Sequence, residues 1–180
     1  YIKNKNYIDP LGLNKPVRSK PLIVAVKGIT FTYGLELMLS SDIALAAKNT
    51  TFAMLEVKRG LLMTGGATLR FVQRSGWSNA MKYLLTGIKF DSQEAYRMNL
   101  IQEVVDDNYL FTRAVELAGH ICKASPLAIK EVIKNSRLAQ IDPLQAIEEF
   151  NSVQNKLINS DDFSEGLKSF EEKREPKFKV

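Results

Sequence analysis

Apolar residues come first in short unbroken runs and later at helical spacing. Leu22-Ile-Val-Ala-Val26, opened by Pro21 and closed by Gly28, is continuous. Such a run between punctuating residues reads as a strand buried on both faces, and so as part of a parallel sheet covered by helices. From Gly34 to about Ser41 the period turns helical, with Leu35, Leu37, Met38 and Leu39 around Glu36. Residues 42–47 form a second buried strand, and Thr51-Phe52-Ala53 a shorter third. Strand, helix, strand over so short a stretch is a βαβ-like unit whose crossover is right-handed.

Beyond Gly65-Gly66 the pattern is mostly helical. Helices are predicted over 67–74 and 78–85, separated by Ser75-Gly76-Trp77, with Thr86-Gly87 as the stop. Asp91 followed by Glu94 is a capping box opening a helix to about Asn99. Residues 100–105 form a last strand or extended link. Long helices follow over 109–123, 125–140 and 142–159, the latter two with Pro126 and Pro143 at the first position, where proline is best tolerated. In the last helix, 161–173, Phe163, Leu167 and Phe170 make one apolar face turned to a partner surface. Residues 1–20, with Asp9-Pro10, Gly12 and Asn14-Lys15-Pro16, read as an extended or mobile leader. The expected organisation is a leader (1–20), an α/β core (21–107) and a helical region (108–180).

Composition narrows the function classes. With 180 residues, 45% hydrophobic and 25% charged, the chain builds a real core. A net charge of +5 suits an anionic small molecule and is too weak and scattered for nucleic acid. The single cysteine, Cys122, leaves no intramolecular disulfide, fits a reducing compartment such as the cytoplasm, and reads as buried filler on an apolar helix. No stretch approaches the ~20 apolar residues of a membrane span. The sole histidine, His120, lies two residues from Cys122, no metal-binding spacing on a helix; it reads as a core-edge or surface residue, and no metal is expected. The start carries no signal-peptide pattern and no methionine, so the chain is expected to be a fragment of a longer protein.

Two carboxylates carry the candidate chemistry. Glu36 follows Gly34-Leu35 in a helix's first turn, and Glu56 follows the Thr51–Ala53 run. Strand ends that bring two carboxyls together, beside backbone with free N–H groups, make a layout for acid–base work next to a developing oxyanion. Apolar neighbours (Leu35, Leu37, Met54, Leu55, Val57) are expected to raise the pKa of at least one by desolvation. The helix start near Gly34 offers unpaired N–H groups and the positive end of a dipole. Plainer readings stand beside this. The dipole favours any glutamate in a first turn, Glu56 could be a surface charge paired with Lys58 or Arg59, and Gly65-Gly66 alone is a turn. Composition and period support an α/β domain with a helical C-terminal half.

The motifs add more. Lys20-Pro21-Leu-Ile-Val-Ala-Val26-Lys-Gly28, Gly34-Leu-Glu36-Leu, Ser41-Asp42-Ile, Thr51-Phe-Ala-Met-Leu-Glu56 and Gly65-Gly66-Ala-Thr68-Leu-Arg70 resemble the crotonase superfamily, the enoyl-CoA hydratase/isomerase proteins. Leu84-Leu-Thr86-Gly87, Ser125-Pro126 and Phe163-Ser-Glu165-Gly166…Phe170…Lys173-Arg174…Phe178 fit its later segments. The resemblance covers roughly 20–179. It implies a crotonase-like ββα spiral, truncated at its start, with a C-terminal helical trimerisation region that often pairs into hexamers. It implies reversible hydration of a 2-enoyl-CoA by Glu36 and Glu56, coenzyme A being part of the substrate rather than a cofactor. Glu56 would exchange the proton at the α-carbon, Glu36 would hold and activate water, and the Tyr33 N–H would serve the oxyanion hole. Gly34, Met63, Thr64 and Gly65 would line the substrate pocket, and Phe170 and Lys173 would contact CoA.

This chain departs from the family pattern in three places. Thr32-Tyr33-Gly34 replaces Gly-Gly-Gly, and the Tyr33 ring is expected to narrow the acyl pocket. Met63-Thr64-Gly65-Gly66-Ala67-Thr68 replaces Pro-Gly-Ala-Gly-Gly-Thr and alters the wall near the water. The family's N-terminal third, with its second oxyanion N–H and much of the adenine pocket, has no counterpart. Two other readings stay open: a Δ3,Δ2-enoyl-CoA isomerase using Glu56 alone, and a non-catalytic CoA-binding or assembly subunit.

Overall fold

A computed structural model describes residues 7–179. Two compact units are present. One holds the chain up to Arg18 together with Leu22–Val115, the other Ser19–Pro21 together with Glu116–Val180.

The first unit alternates strands between two small sheets. β1 (Ile23–Val26) enters one sheet, β2 (Ile29–Phe31) the other, and α1 (Tyr33–Leu39) follows; β3 (Ile43–Ala47) and β4 (Thr51–Ala53) then repeat the two steps. A 3-10 turn (Glu56–Arg59) leads to α2 (Ala67–Ser75) and α3 (Trp77–Thr86), then β5 (Phe90–Asp91), α4 (Ser92–Arg97) and β6 (Glu103–Val105). The first sheet, β1-β3-β6, is parallel throughout, with Ile23 opposite Ile43 and Leu45 opposite Glu103. In the second, β2 pairs β4 in parallel and β4 pairs β5 antiparallel. The parallel sheet expected from the apolar runs is present, and the two-strands-then-helix rhythm is that of a ββα spiral. The short strands β2 and β5 escaped the sequence reading: Ile29 is exposed, so β2 carries no continuous apolar signal.

The core binds these elements together. Leu35, Met38 and Leu39 of α1 are fully buried with Phe52, Met54 and Phe71. Phe90 stacks on Phe52 at 5.3 Å and meets Tyr83 at 4.4 Å, joining β4, β5 and α3; such pairs add roughly 0.5–1.5 kcal/mol each beyond burial. At the end of α1, Arg74 of α2 donates to the carbonyls of Leu39 (3.1 Å) and Ser41 (2.6 Å), acceptors the helix itself leaves open, and also to that of Leu100 (3.1 Å) ahead of β6.

Residues 7–20 carry no helix or strand, and those around Asp9 are joined by hydrogen bonds; residues 1–6 lie outside the described residues. The Asp9 carboxylate accepts the N–H groups of Leu11, Leu13 and Asn14. Asp42 anchors Arg18 (2.8 Å) and the Leu22 N–H (2.7 Å). Asp91 caps α4 as expected, accepting from Glu94 N–H at 2.8 Å. The Glu94 carboxylate instead takes the Tyr83 hydroxyl (2.7 Å) and Arg97, so the box is one-sided.

Helix α5 (Leu110–Cys122) leads into the second unit, which holds α6 (Pro126–Ala139), α7 (Pro143–Glu148), α8 (Phe150–Ile158) and α9 (Asp161–Glu171). The single helix predicted over 142–159 is interrupted at Glu149, whose carboxylate takes Lys134 at 3.0 Å. Lys156 of α8 reaches the buried Glu131 of α6 at 2.5 Å. Cys122 is exposed, not buried: Leu117 and Ile121 carry the half-buried face, and Cys122 lies about 100° round the helix from Ile121. His120 is exposed, as the surface reading has it.

Candidate active site

Glu36 sits in the first turn of α1, four residues after Thr32. The helix starts there because the chain turns at Thr32, whose N–H donates to Ala53 O (2.9 Å) on β4 and whose carbonyl accepts Glu36 N–H (3.0 Å). That turn is strained. Thr32 adopts φ 48° and ψ −117°, a region that favours glycine and that a β-branched residue reaches only at a cost of about 1–3 kcal/mol. No side chain caps the helix, and the N–H groups of Tyr33, Gly34 and Leu35 precede its first intrahelical bond. Tyr33 and Gly34 are exposed, the tyrosine 55% so.

The Glu36 side chain is buried at 4% exposure. Its Oε1 accepts the Ala67 N–H at 3.2 Å, at the start of α2, and the Gly65 N–H also acts on the carboxylate. A Cβ at Gly65 would lie 2.2 Å from Glu36 Oε2, so only glycine admits this approach. Gly66 turns the loop into α2 at φ +101°. The Glu36 pKa is raised above the ordinary 4.5, first by burial; the Ala67 and Gly65 N–H groups oppose this, the Glu56 charge adds to it, and Arg70 opposes it.

Glu56 opens the 3-10 turn and is half-buried. Its Oε2 is shielded from solvent and has no hydrogen-bond partner among the described residues, and no ion pair joins it to Lys58 or Arg59. The surface-pair reading of Glu56 thus fails. An unpartnered buried carboxylate oxygen is costly, and it marks a place where a proton or a ligand's donor belongs. The two glutamates are near enough for the charge of one to act on the other.

The other predicted residues fall in different settings. Gly65 lies against Glu36, Thr64 is exposed, and Met63 is buried at 4% exposure within the hydrophobic core. Phe170 (84% exposed) and Lys173 belong to the second unit, where Lys173 ends α9 in a left-handed turn at φ 50°. Sequence reasoning gave no role to Ala67 or Arg70. Arg70 donates from Nη1 to Gly65 O (3.2 Å) and from Nη2 to Leu11 O. The sequence signal for it was its place at the end of the motif Gly65-Gly66-Ala-Thr68-Leu-Arg70, one turn into the helix that follows.

The enoyl-CoA hydratase/isomerase family model matches residues 13–180. The chain belongs to that family. A curated relative, enoyl-CoA hydratase EchA19 of Mycobacterium tuberculosis, is 35% identical over 89% of this chain and 60% of its own length. Another, mevalonyl-coenzyme A hydratase sidH of Aspergillus fumigatus, is 31% identical over 93% of this chain and 63% of its own. The crystal structure of a "probable enoyl-CoA hydratase/isomerase" from Mycobacterium abscessus superposes with a TM-score of 0.93 at 37% identity, covering 96% of this chain and 67% of that one. The fold is therefore the crotonase fold, and the chain spans about 60–63% of the length of these curated relatives. Among the described residues, no helix is long and apolar enough to cross a membrane.

Proposed function

We propose that the protein reversibly hydrates 2-enoyl-CoA thioesters, with Glu36 and Glu56 as the acid–base pair. The observation that carries this is the contrast between two neighbouring carboxylates. Glu36 is buried and held by the Ala67 N–H, and on this reading it holds and deprotonates the water. Glu56 has a buried oxygen with no partner among the described residues, and on this reading it exchanges the proton at the α-carbon. Water adds when Glu36 accepts its proton while hydroxide attacks the β-carbon and Glu56 delivers a proton to the α-carbon. The negative charge that collects on the thioester oxygen is met by the Tyr33 N–H at the uncapped start of α1, a donor worth roughly 3–4 kcal/mol of barrier.

Related proteins support a CoA thioester substrate, since those named above are called enoyl-CoA and mevalonyl-coenzyme A hydratases. On this reading Phe170 and Lys173 contact CoA, and the exposed apolar residues of the helical unit, Leu144 and Ile147 among them, pack in a homotrimer. The test is the loss of enoyl absorbance when the full-length protein meets a short 2-enoyl-CoA. Turnover abolished by Glu56→Gln and by Glu36→Gln supports hydration. Activity on a 3-enoyl-CoA that survives Glu36→Gln would favour the isomerase instead, and CoA binding without turnover in any form would leave a non-catalytic subunit.

A further inference from the structure

The Gly65–Ala67 loop supplies the N–H group of Ala67 that holds Glu36, yet its Gly66 is left-handed and α2 has no side-chain cap. Its restraint comes from one turn into α2. The Arg70 guanidinium folds back over Gly66, so closely that a Cβ there would sit 2.6 Å from Nη1. It donates to the Gly65 carbonyl and to the Leu11 carbonyl of the Asp9-held loop, bridging two segments. We propose that Arg70 is a positioning residue: its two-pronged grip on the Gly65 and Leu11 carbonyls locks the loop whose N–H groups aim the Glu36 carboxylate. This deepens the hydration reading and rests on it for its kinetic readout.

Arg70 also acts through its charge. The charged groups that act on Glu36 are Glu56, from the 3-10 turn, which raises its pKa, and Arg70, from α2, which lowers it. Arg70 therefore favours the ionised Glu36 that a water-activating base must be, against burial and a like-charged neighbour. It does so from its contacts with the Gly65 and Leu11 carbonyls.

The experiment compares Arg70→Met and Arg70→Lys in the full-length protein, recording kcat, KM and the pH profile of kcat/KM with a short 2-enoyl-CoA. Arg70→Met is expected to lower kcat about 100-fold, the cost of misplacing a catalytic group by around 1 Å, with KM within about twofold. Its acid limb moves to higher pH. Arg70→Lys keeps the charge and loses the two-pronged grip, so the limb returns to the wild-type position while kcat stays low. If Arg70→Met does not fold, Arg70→Lys carries the test alone: lowered kcat with an unmoved limb supports the proposal, and wild-type kcat overturns it. Wild-type kcat and limb in Arg70→Met, or a loss confined to KM, also overturn it. A wild-type protein with no enoyl-CoA turnover would sink the hydration reading separately. The Arg70 proposal is then judged by infrared titration of the Glu36 carboxyl, which must move upward in Arg70→Met; an unmoved titration overturns it.

Discussion

Adding one methyl group at Gly65 probes the site most directly. A Cβ built there lies 2.2 Å from Glu36 Oε2, 2.5 Å from its Cδ and 3.0 Å from its Cβ, whereas ordinary contact begins near 3.4 Å. The atom it strikes is a carboxylate held in place by the Ala67 N–H, so relief requires moving the carboxylate by about 1 Å or opening the loop. Overpacking of this kind costs about 1–3 kcal/mol of stability. A shift of that size in a catalytic group costs about 100-fold in rate. Gly65→Ala is therefore expected to lower kcat by about two orders of magnitude and to lower the Tm, measured by thermal melting and by enoyl absorbance with a short 2-enoyl-CoA. Gly119→Ala is the control. That helical glycine has open space around it and no positive φ, so alanine there should leave kcat unchanged and stabilise slightly. If Gly65→Ala keeps wild-type kcat and Tm, Glu36 is not held where the structure has it, and the positional argument for its role fails.

Other substitutions test the surrounding physics. Thr32→Gly relieves a strain of about 1–3 kcal/mol and gives back about 0.5–1 through the freer unfolded chain, so the variant should be more stable by about 1 kcal/mol in denaturant titration; a lower midpoint would refute the strain. Glu36 has a pKa raised by folding, so its ionisation opposes stability as pH climbs above the ordinary 4.5. Glu36→Gln should thus be more stable than the wild type at neutral pH, with the advantage fading below pH 4.5, a difference that pH-dependent melts would reveal or deny. Glu165 behaves oppositely: Arg174 and the Lys177 N–H hold its pKa down to about 2, so it secures the C-terminal segment above pH 4.5 and releases it as pH falls toward 2, which hydrogen exchange over residues 172–178 would register. Arg74→Ala strands two carbonyls at the end of α1 and that of Leu100 ahead of β6, and a loss of about 3 kcal/mol is expected by chemical denaturation.

Much of this was legible because the sequence writes it locally. The parallel strands announce themselves as Ile23–Val26 and Ile43–Ala47, although only the second is buried. Ala25 of β1 is exposed and its neighbours half-buried, so the reading of that run as a strand buried on both faces is corrected. Ser125-Pro126, Asp142-Pro143 and Asp91 mark helix starts that the structure bears out. The convergence of Glu36 and Glu56 followed from strand ends and from the family motifs. Other features depend on approach through space. Strand β5 has only Phe90–Asp91 and owes its existence to pairing with β4, so no period reveals it. The interruption at Glu149 carries no glycine or proline. The grip of Ala67 and Arg70 on the Glu36 neighbourhood needs α2 to start beside α1, which two segments far apart in sequence cannot declare alone. Cys122 was misjudged because an apolar pattern at a helix end says little about which side meets solvent.

The hydrogen bond from Ala67 to Glu36 makes one carboxylate serve two structures. It is the proposed base, and it is also the anion at the positive end of α2, where a negative charge is worth about 0.3–1 kcal/mol. Proton binding at Glu36 and order in the first turn of α2 are therefore linked, and linkage runs both ways. A step that protonates the glutamate weakens the helix start by as much as a firmer helix start resists protonation. The Gly65 loop is therefore held more firmly against an ionised Glu36 than against a protonated one.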